Sequence, residues 1–151
     1  MRALILEKMY EWSKKPYQKF FKKNEAWDIS IPQLIRYPED SLGFHLGCFL
    51  LRYTFELQPK LEDHDIIHVL TNTGVSVPEE IGMQYYLWGN GKRSAYLILV
   101  IGLGTLFYGS HLKSFYKQYQ RGKMAHRFYD LAFDKMLAQP IQNIQNTFNI
   151  Q

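Results

Sequence analysis

The sequence predicts an all-α fold, a single-domain bundle of six or seven helices. Three observations carry this expectation. Apolar residues recur at helical spacing along most of the chain, and no stretch of useful length shows the two-residue alternation of a strand. Helix starts are marked by Ser or Asp ahead of apolar runs, in two places with Pro close by. The 151 residues, 46% of them hydrophobic, are enough for one buried core and argue against disorder.

The elements follow in order. Residues 1–23 form a basic, amphipathic helical segment interrupted at Pro16, and residues 24–151 form the helical domain proper. Residues 24–40 read as a connector carrying Asn24, Asp28, Pro32 and Pro38. Asp40 or Ser41 caps a helix to about Tyr53, with Leu42, Leu46, Phe49, Leu50 and Tyr53 at helical spacing. Asp63 suits the cap of the next helix, which stops before Gly74. Ser76-Val77-Pro78-Glu79 has the spacing of a capping box with Pro in the first turn, and its helix runs to Trp88 before Gly89-Asn90-Gly91 breaks it. An apolar run from Ala95 to Gly109 follows. As a helix its 15 residues span about 22 Å, short of a hydrocarbon core of about 30 Å, so it reads as a buried helix or a pocket wall and not as a span, with a single shallow membrane insertion as the alternative. An amphipathic stretch runs from Leu112 to Ala138, with Gly122 as its kink or division, and Pro140 opens a short final helix.

Composition narrows the function. The lone Cys48 excludes an internal disulfide or a cysteine-based zinc ribbon and reads as a small buried hydrophobe. Residues 1–23 carry seven Lys or Arg against Glu7 and Glu11, a balance of +5, which leaves the rest of the chain at −1. With Tyr10, Trp12, Tyr17, Phe20 and Phe21 interleaved, this segment suits either an anionic membrane surface or a solvated face with an aromatic packing stripe. No recognition motif for nucleic acid accompanies the charge. No secretory signal is visible.

The chemistry concentrates at His64-Asp65-Ile66-Ile67-His68, followed after eleven residues by Glu80. Imidazoles at i and i+4 lie one above the other on a helix, about 5–6 Å apart at Cβ. Glu79 is assigned to the capping box, which leaves Glu80, about 100° further round, to face the two rings. Two imidazoles and carboxylates on an otherwise apolar helix are costly to bury without a partner, and a divalent metal satisfies them all. Zinc is the expected ion, with iron or manganese as alternatives. A buried hydrogen-bond network or an exposed polar face are the metal-free alternatives. His45, His111 and His126 receive no role.

Zinc peptidases place Glu where this chain has Asp65, one methylene shorter. An HD phosphohydrolase would need an upstream His and a distant Asp, for which His45 and Asp130 or Asp134 stand in without a fixed register. A third resemblance is more specific. H-D-x-x-H with eleven residues before Glu, read here as HDIIH-VLTNTGVSVPE-E, resembles the signature of the coenzyme Q biosynthesis protein 4 family. Tyr37-Pro38-Glu39-Asp40-Ser41-Leu42-Gly43, Tyr119-Gln120-Arg121-Gly122 and the ending Gln139-Pro140 to Phe148-Asn149-Ile150 resemble its flanking segments, so the likeness covers roughly residues 17–151. The shorter segment before His64 and Thr71-Asn72 in place of a family glycine mark a divergent, bacterial relative.

The resemblance implies an all-helical protein, cytoplasmic and peripheral on the inner face of the cell membrane. It implies a metal-dependent oxidative decarboxylation and hydroxylation at the first ring carbon of a prenylated aromatic acid, and organisation of other quinone-biosynthesis proteins. His64, Asp65, His68 and Glu80 would hold the metal. The partner would be a polyprenyl lipid or quinone intermediate, its tail lying between Tyr96–Phe107 and Leu42–Tyr53, with Arg121 or Lys123 meeting a head-group anion. The alternative is a non-catalytic prenyl-lipid-binding scaffold whose metal is structural.

Overall fold

A computed structural model describes residues 27–53 and 62–151. The expected basic segment 1–23 lies outside the described residues. Among those described, seven α-helices and two 3-10 turns account for the regular structure, and there is no strand. The helices are α1 (Ile31–Leu34), α2 (Leu42–Arg52), α3 (Glu62–Thr71), α4 (Val77–Gly89), α5 (Ala95–Phe107), α6 (Leu112–Met124) and α7 (Ile141–Phe148). The fold class is all-α.

Contacts divide the chain into two compact units. A central unit takes in Thr73–Tyr129, and a discontinuous unit combines Lys23–Asn72 with Asp130–Gln151. The discontinuous unit is closed by backbone hydrogen bonds at the start of α2. Helix N-termini leave N–H groups without intrahelical acceptors. Here Leu42 and Gly43 donate theirs to the carbonyls of Gln139 and Leu137, at 2.9 and 2.8 Å. Ile141 donates in return to the carbonyl of Asp40 at 2.8 Å. Leu42, Leu46 and Leu50 are wholly buried with Leu34, Ile66 and Phe133. Full burial of each such side chain contributes about 1.5–3 kcal/mol. These leucines, one side of the expected lipid path, are therefore core residues of their own unit.

The central unit is built on α4 against α6. Their backbones approach so closely that a Cβ at Gly122 would lie 1.9 Å from the Tyr86 carbonyl oxygen, and one at Gly89 would lie 2.1 Å from that of Tyr119. Gly122 therefore neither kinks nor divides its helix: α6 runs through it to Met124. The amphipathic stretch expected to continue to Ala138 ends instead at Ala125, where the backbone becomes extended. Asn90 is the reason. Its buried side-chain amide donates to the carbonyls of Gly122, Ala125 and His126 and accepts from the N–H of Phe128. Chain that could have continued a helix is thereby held as a turn.

Local signals elsewhere behave as chemistry dictates. Ser41 caps α2, its Oγ accepting from the N–H of Phe44 at 3.2 Å. Ser76 and Glu79 form the capping box of α4. Gly91, at φ +104°, makes the break after it. Three expectations are corrected. The connector before α2 contains α1, opened by a second capping box of the same form, Ser30 with Gln33. Asp63 lies inside the first turn of α3 and does not precede it. Cys48 is exposed, because the buried stripe of α2 runs through Leu42, Leu46 and Leu50 and leaves position 48 on another side.

Candidate metal centre

Helix α3 owes its orientation to its apolar residues. Ile66, Ile67 and Leu70 are at most 4% exposed. The C-terminal end is pinned by Gln145, whose Nε2 donates to the Leu70 carbonyl at 3.0 Å. Thr71 Oγ1 donates to the Ile67 carbonyl at 2.7 Å, and Asn72 leaves the helix in the left-handed region at φ 52°. A short polar residue such as Asn tolerates that conformation.

This anchoring carries the imidazoles with it. The rings of His64 and His68 meet edge to face, with centroids 4.7 Å apart. His68 is buried and stacks on Phe49 of α2 at 5.6 Å, so an aromatic plane sets its ring orientation. His64 is half-buried, and its Nδ1 faces Asp65 Oδ1 at 3.4 Å. A proton held on Nδ1 meets that carboxylate and leaves Nε2 with its lone pair outward. Carboxylates orient metal-binding histidines in this manner. The structure thus gathers His64, Asp65 and His68 into one patch of the discontinuous unit, with Asp65 turned toward His64.

Glu80 belongs to the central unit, in the first turn of α4. The division of labour between the two adjacent carboxylates follows from capping. Glu79 reaches back to the Ser76 N–H at 3.0 Å and to its hydroxyl at 2.5 Å. Glu80 is half-buried, and its backbone N–H joins the helix start, donating to the Ser76 carbonyl at 2.9 Å. A negative charge there is favoured by the helix dipole.

Other sequence candidates are not gathered. His45, His111 and His126 are all exposed. Asp130 and Asp134 line a groove of about 690 Å³ in the discontinuous unit with Trp27, Asp28, Tyr37 and Asp63; none of His45, His64, Asp65 or His68 lines it. The phosphohydrolase arrangement is therefore not assembled around that groove. Arg121, expected at a lipid mouth, lies over the Tyr86 ring at 5.4 Å and donates to Gln118 Oε1 at 2.7 Å. Lys123 is exposed.

Tyr86 is a residue that sequence reasoning passed over. It is wholly buried, and its hydroxyl meets no hydrogen-bond partner among the described residues. Burial pushes the phenol up to about 12, against an opposing pull from Arg121. Nothing in the local sequence marks it, since a tyrosine inside an aromatic run reads as ordinary packing.

No protein-family model and no curated protein matches the chain. The fold does match a solved structure. The chain is similar to the crystal structure of a candidate ubiquinone biosynthesis protein from Nostoc punctiforme, at 16% identity and a TM-score of 0.71. The match covers 99% of this chain and 81% of that one. The likeness establishes a shared all-helical fold.

Proposed function

We propose that this chain is a metal-dependent protein of prenylated-quinone assembly, with His64, His68 and Glu80 as the residues that hold one divalent cation and Asp65, expected from the sequence as a fourth ligand, as the orienter of His64. The observation carrying this reading is the imidazole pair of α3, edge to face and backed by Asp65 and Phe49. Two neutral imidazoles with a carboxylate fit zinc, iron or manganese. The eleven-residue spacing to Glu80 and the shared fold point to the same class of chemistry. The substrate class is a prenylated aromatic acid, and the reaction is an oxidative decarboxylation: the carboxyl carbon leaves the first ring carbon as CO2, a hydroxyl takes its place, and dioxygen as co-substrate accepts the two electrons.

The bound metal would supply Lewis acidity toward the oxygens of the ring acid. The chain's own residues do the rest. Asp65 keeps a proton on His64 Nδ1 and so keeps Nε2 available. Phe49 holds the plane of His68 and excludes water from one of its faces. Apolar surface binds the prenyl tail, each methylene contributing about 0.8 kcal/mol.

A second reading is favoured by the burial of His68, at 2% exposure. A ligand so enclosed suits a closed, structural metal in a non-catalytic prenyl-lipid organiser. Elemental analysis and native mass spectrometry of gently purified protein test the shared premise, with one metal per chain and its loss in His68→Ala as the expected result. Turnover of a prenylated hydroxybenzoate by metal-replete protein then separates the two. Full metal occupancy without turnover sinks the enzyme and leaves the organiser; no metal at any stage sinks both.

A further inference from the structure

A helix that is apolar on every side belongs in a core or in lipid. Helix α5, AYLILVIGLGTLF, is such a helix, yet only Leu97 and Gly104 are buried. That buried side packs on α4, with Gly104 so close to Ile81 that a Cβ would lie 2.7 Å from its side chain. On the opposite side Ala95, Leu99, Gly102 and Leu106 recur at i, i+4, i+7 and i+11, and all four are exposed. Leu99 is 54% exposed, Leu106 74% and neighbouring Ile98 61%. The chain then bends by 101° into α6. There Leu112 and Tyr116, one turn apart, are exposed as well. A buried helix or a pocket wall is the first sequence expectation for this run and a shallow membrane insertion its alternative; about half of the helix faces outward.

The charge around this face has one sign. From Ile81 to Tyr129 there are seven Lys or Arg and no Asp or Glu, a local net charge of +7, while the rest of the chain sums to −3. Lys92 and Arg93 stand just ahead of α5, and Lys113 and Lys117 are exposed on α6 beside Leu112 and Tyr116. Forty-nine residues without an acid suit a partner that is itself a continuous anionic surface over an apolar interior.

We propose that the exposed face of α5, with the first turns of α6, docks on an anionic lipid bilayer. At 13 residues α5 is about 20 Å long, short of a hydrocarbon core of about 30 Å. It therefore lies along the interface, Leu99 and Leu106 dipping below the headgroups while Lys113 and Lys117 meet phosphates. The inference is independent of the metal reading. It places the contact in the central unit, whereas the charge count by itself had pointed to residues 1–23.

Co-sedimentation of the full chain with vesicles tests it. Phosphatidylcholine vesicles containing phosphatidylglycerol should bind the protein, phosphatidylcholine alone much less, and added salt should weaken the binding. Leu99→Gln with Leu106→Gln should weaken binding about tenfold or more. Lys113→Gln and Lys117→Gln should each cost about fivefold on the anionic vesicles only. As a readout that survives instability of those variants, bimane on Leu106→Cys in a Cys48→Ser background should shift to the blue when anionic vesicles are added. Undiminished binding by the double-leucine variant, or an unshifted probe on vesicles that do bind, overturns the proposal. So does a dimer that ignores vesicles and dissociates on Leu99→Gln, since the face would then be covered by a second copy.

Discussion

Replacing Asn90 by alanine should destabilise this protein more than any exposed substitution, and the size of the loss follows from its hydrogen bonds. Its Nδ2 lies 3.3, 3.3 and 3.0 Å from the carbonyls of Gly122, Ala125 and His126, and its Oδ1 accepts from the Phe128 N–H at 3.1 Å. The amide has two hydrogens for three acceptors, so one hydrogen is shared. Asn90→Ala removes two donors, each worth about 1 kcal/mol net, and takes the acceptor from a buried N–H, which costs a further ~1–3 kcal/mol. The sum is about 3–5 kcal/mol, or a fall in Tm on the order of 10 °C for a chain of this size. Urea unfolding followed by far-UV circular dichroism measures it. Asn90→Asp is the control: it keeps the acceptor for Phe128 but turns a carboxylate toward three carbonyls, so it should be no better than alanine at neutral pH. A loss below about 1 kcal/mol for Asn90→Ala would refute the reasoning, because the turn after α6 would then be held by something else.

Tyr86→Phe should be neutral or stabilising by up to about 1 kcal/mol at pH 7, since it deletes a buried hydroxyl that meets no hydrogen-bond partner among the described residues. The folded phenol is pushed to about 12 from 10, so its contribution is complete below pH 10 and is lost as pH rises through 12. The wild type should therefore lose up to ~3 kcal/mol more than Tyr86→Phe over that alkaline window, which parallel denaturation curves would show. Gly122→Ala forces a Cβ against the Tyr86 carbonyl and should cost at least about 3 kcal/mol. Gly102→Ala meets nothing within 4 Å and should stabilise by about 0.5–1 kcal/mol through helix propensity, so equal effects in thermal melts would contradict the assigned packing. His68→Ala should abolish stoichiometric metal. Asp65→Asn should weaken metal affinity by about 10–100-fold through loss of the His64 orienter, and unchanged competition against a chelator would count against that role.

The site was legible in the sequence to the extent that it is local. His64 and His68 are four apart, so any helix through them brings the rings together, and Ser76-Val77-Pro78-Glu79 assigns Glu79 to the cap and spares Glu80. The Asp65–His64 contact lay within the same short range, but spacing alone did not distinguish a carboxylate that binds an ion from one that orients a ring. The stacking of Phe49 on His68 depends on how α2 meets α3, and no motif records it.

Periodicity and end signals determined the all-α class, the starts at Ser41, Ser76 and Pro140, and the break at Gly91, because each rests on interactions within a few residues. Tertiary structure alone decided the rest. Gly122 is a point of close approach and not a breaker, because Tyr86 of a different helix lies against it. The helix after Leu112 stops at Met124 because Asn90, more than thirty residues away, binds its carbonyls. Helix α5 shows its apolar face to solvent for a related reason: a helix hydrophobic on all sides carries no moment to say which side a neighbour will cover.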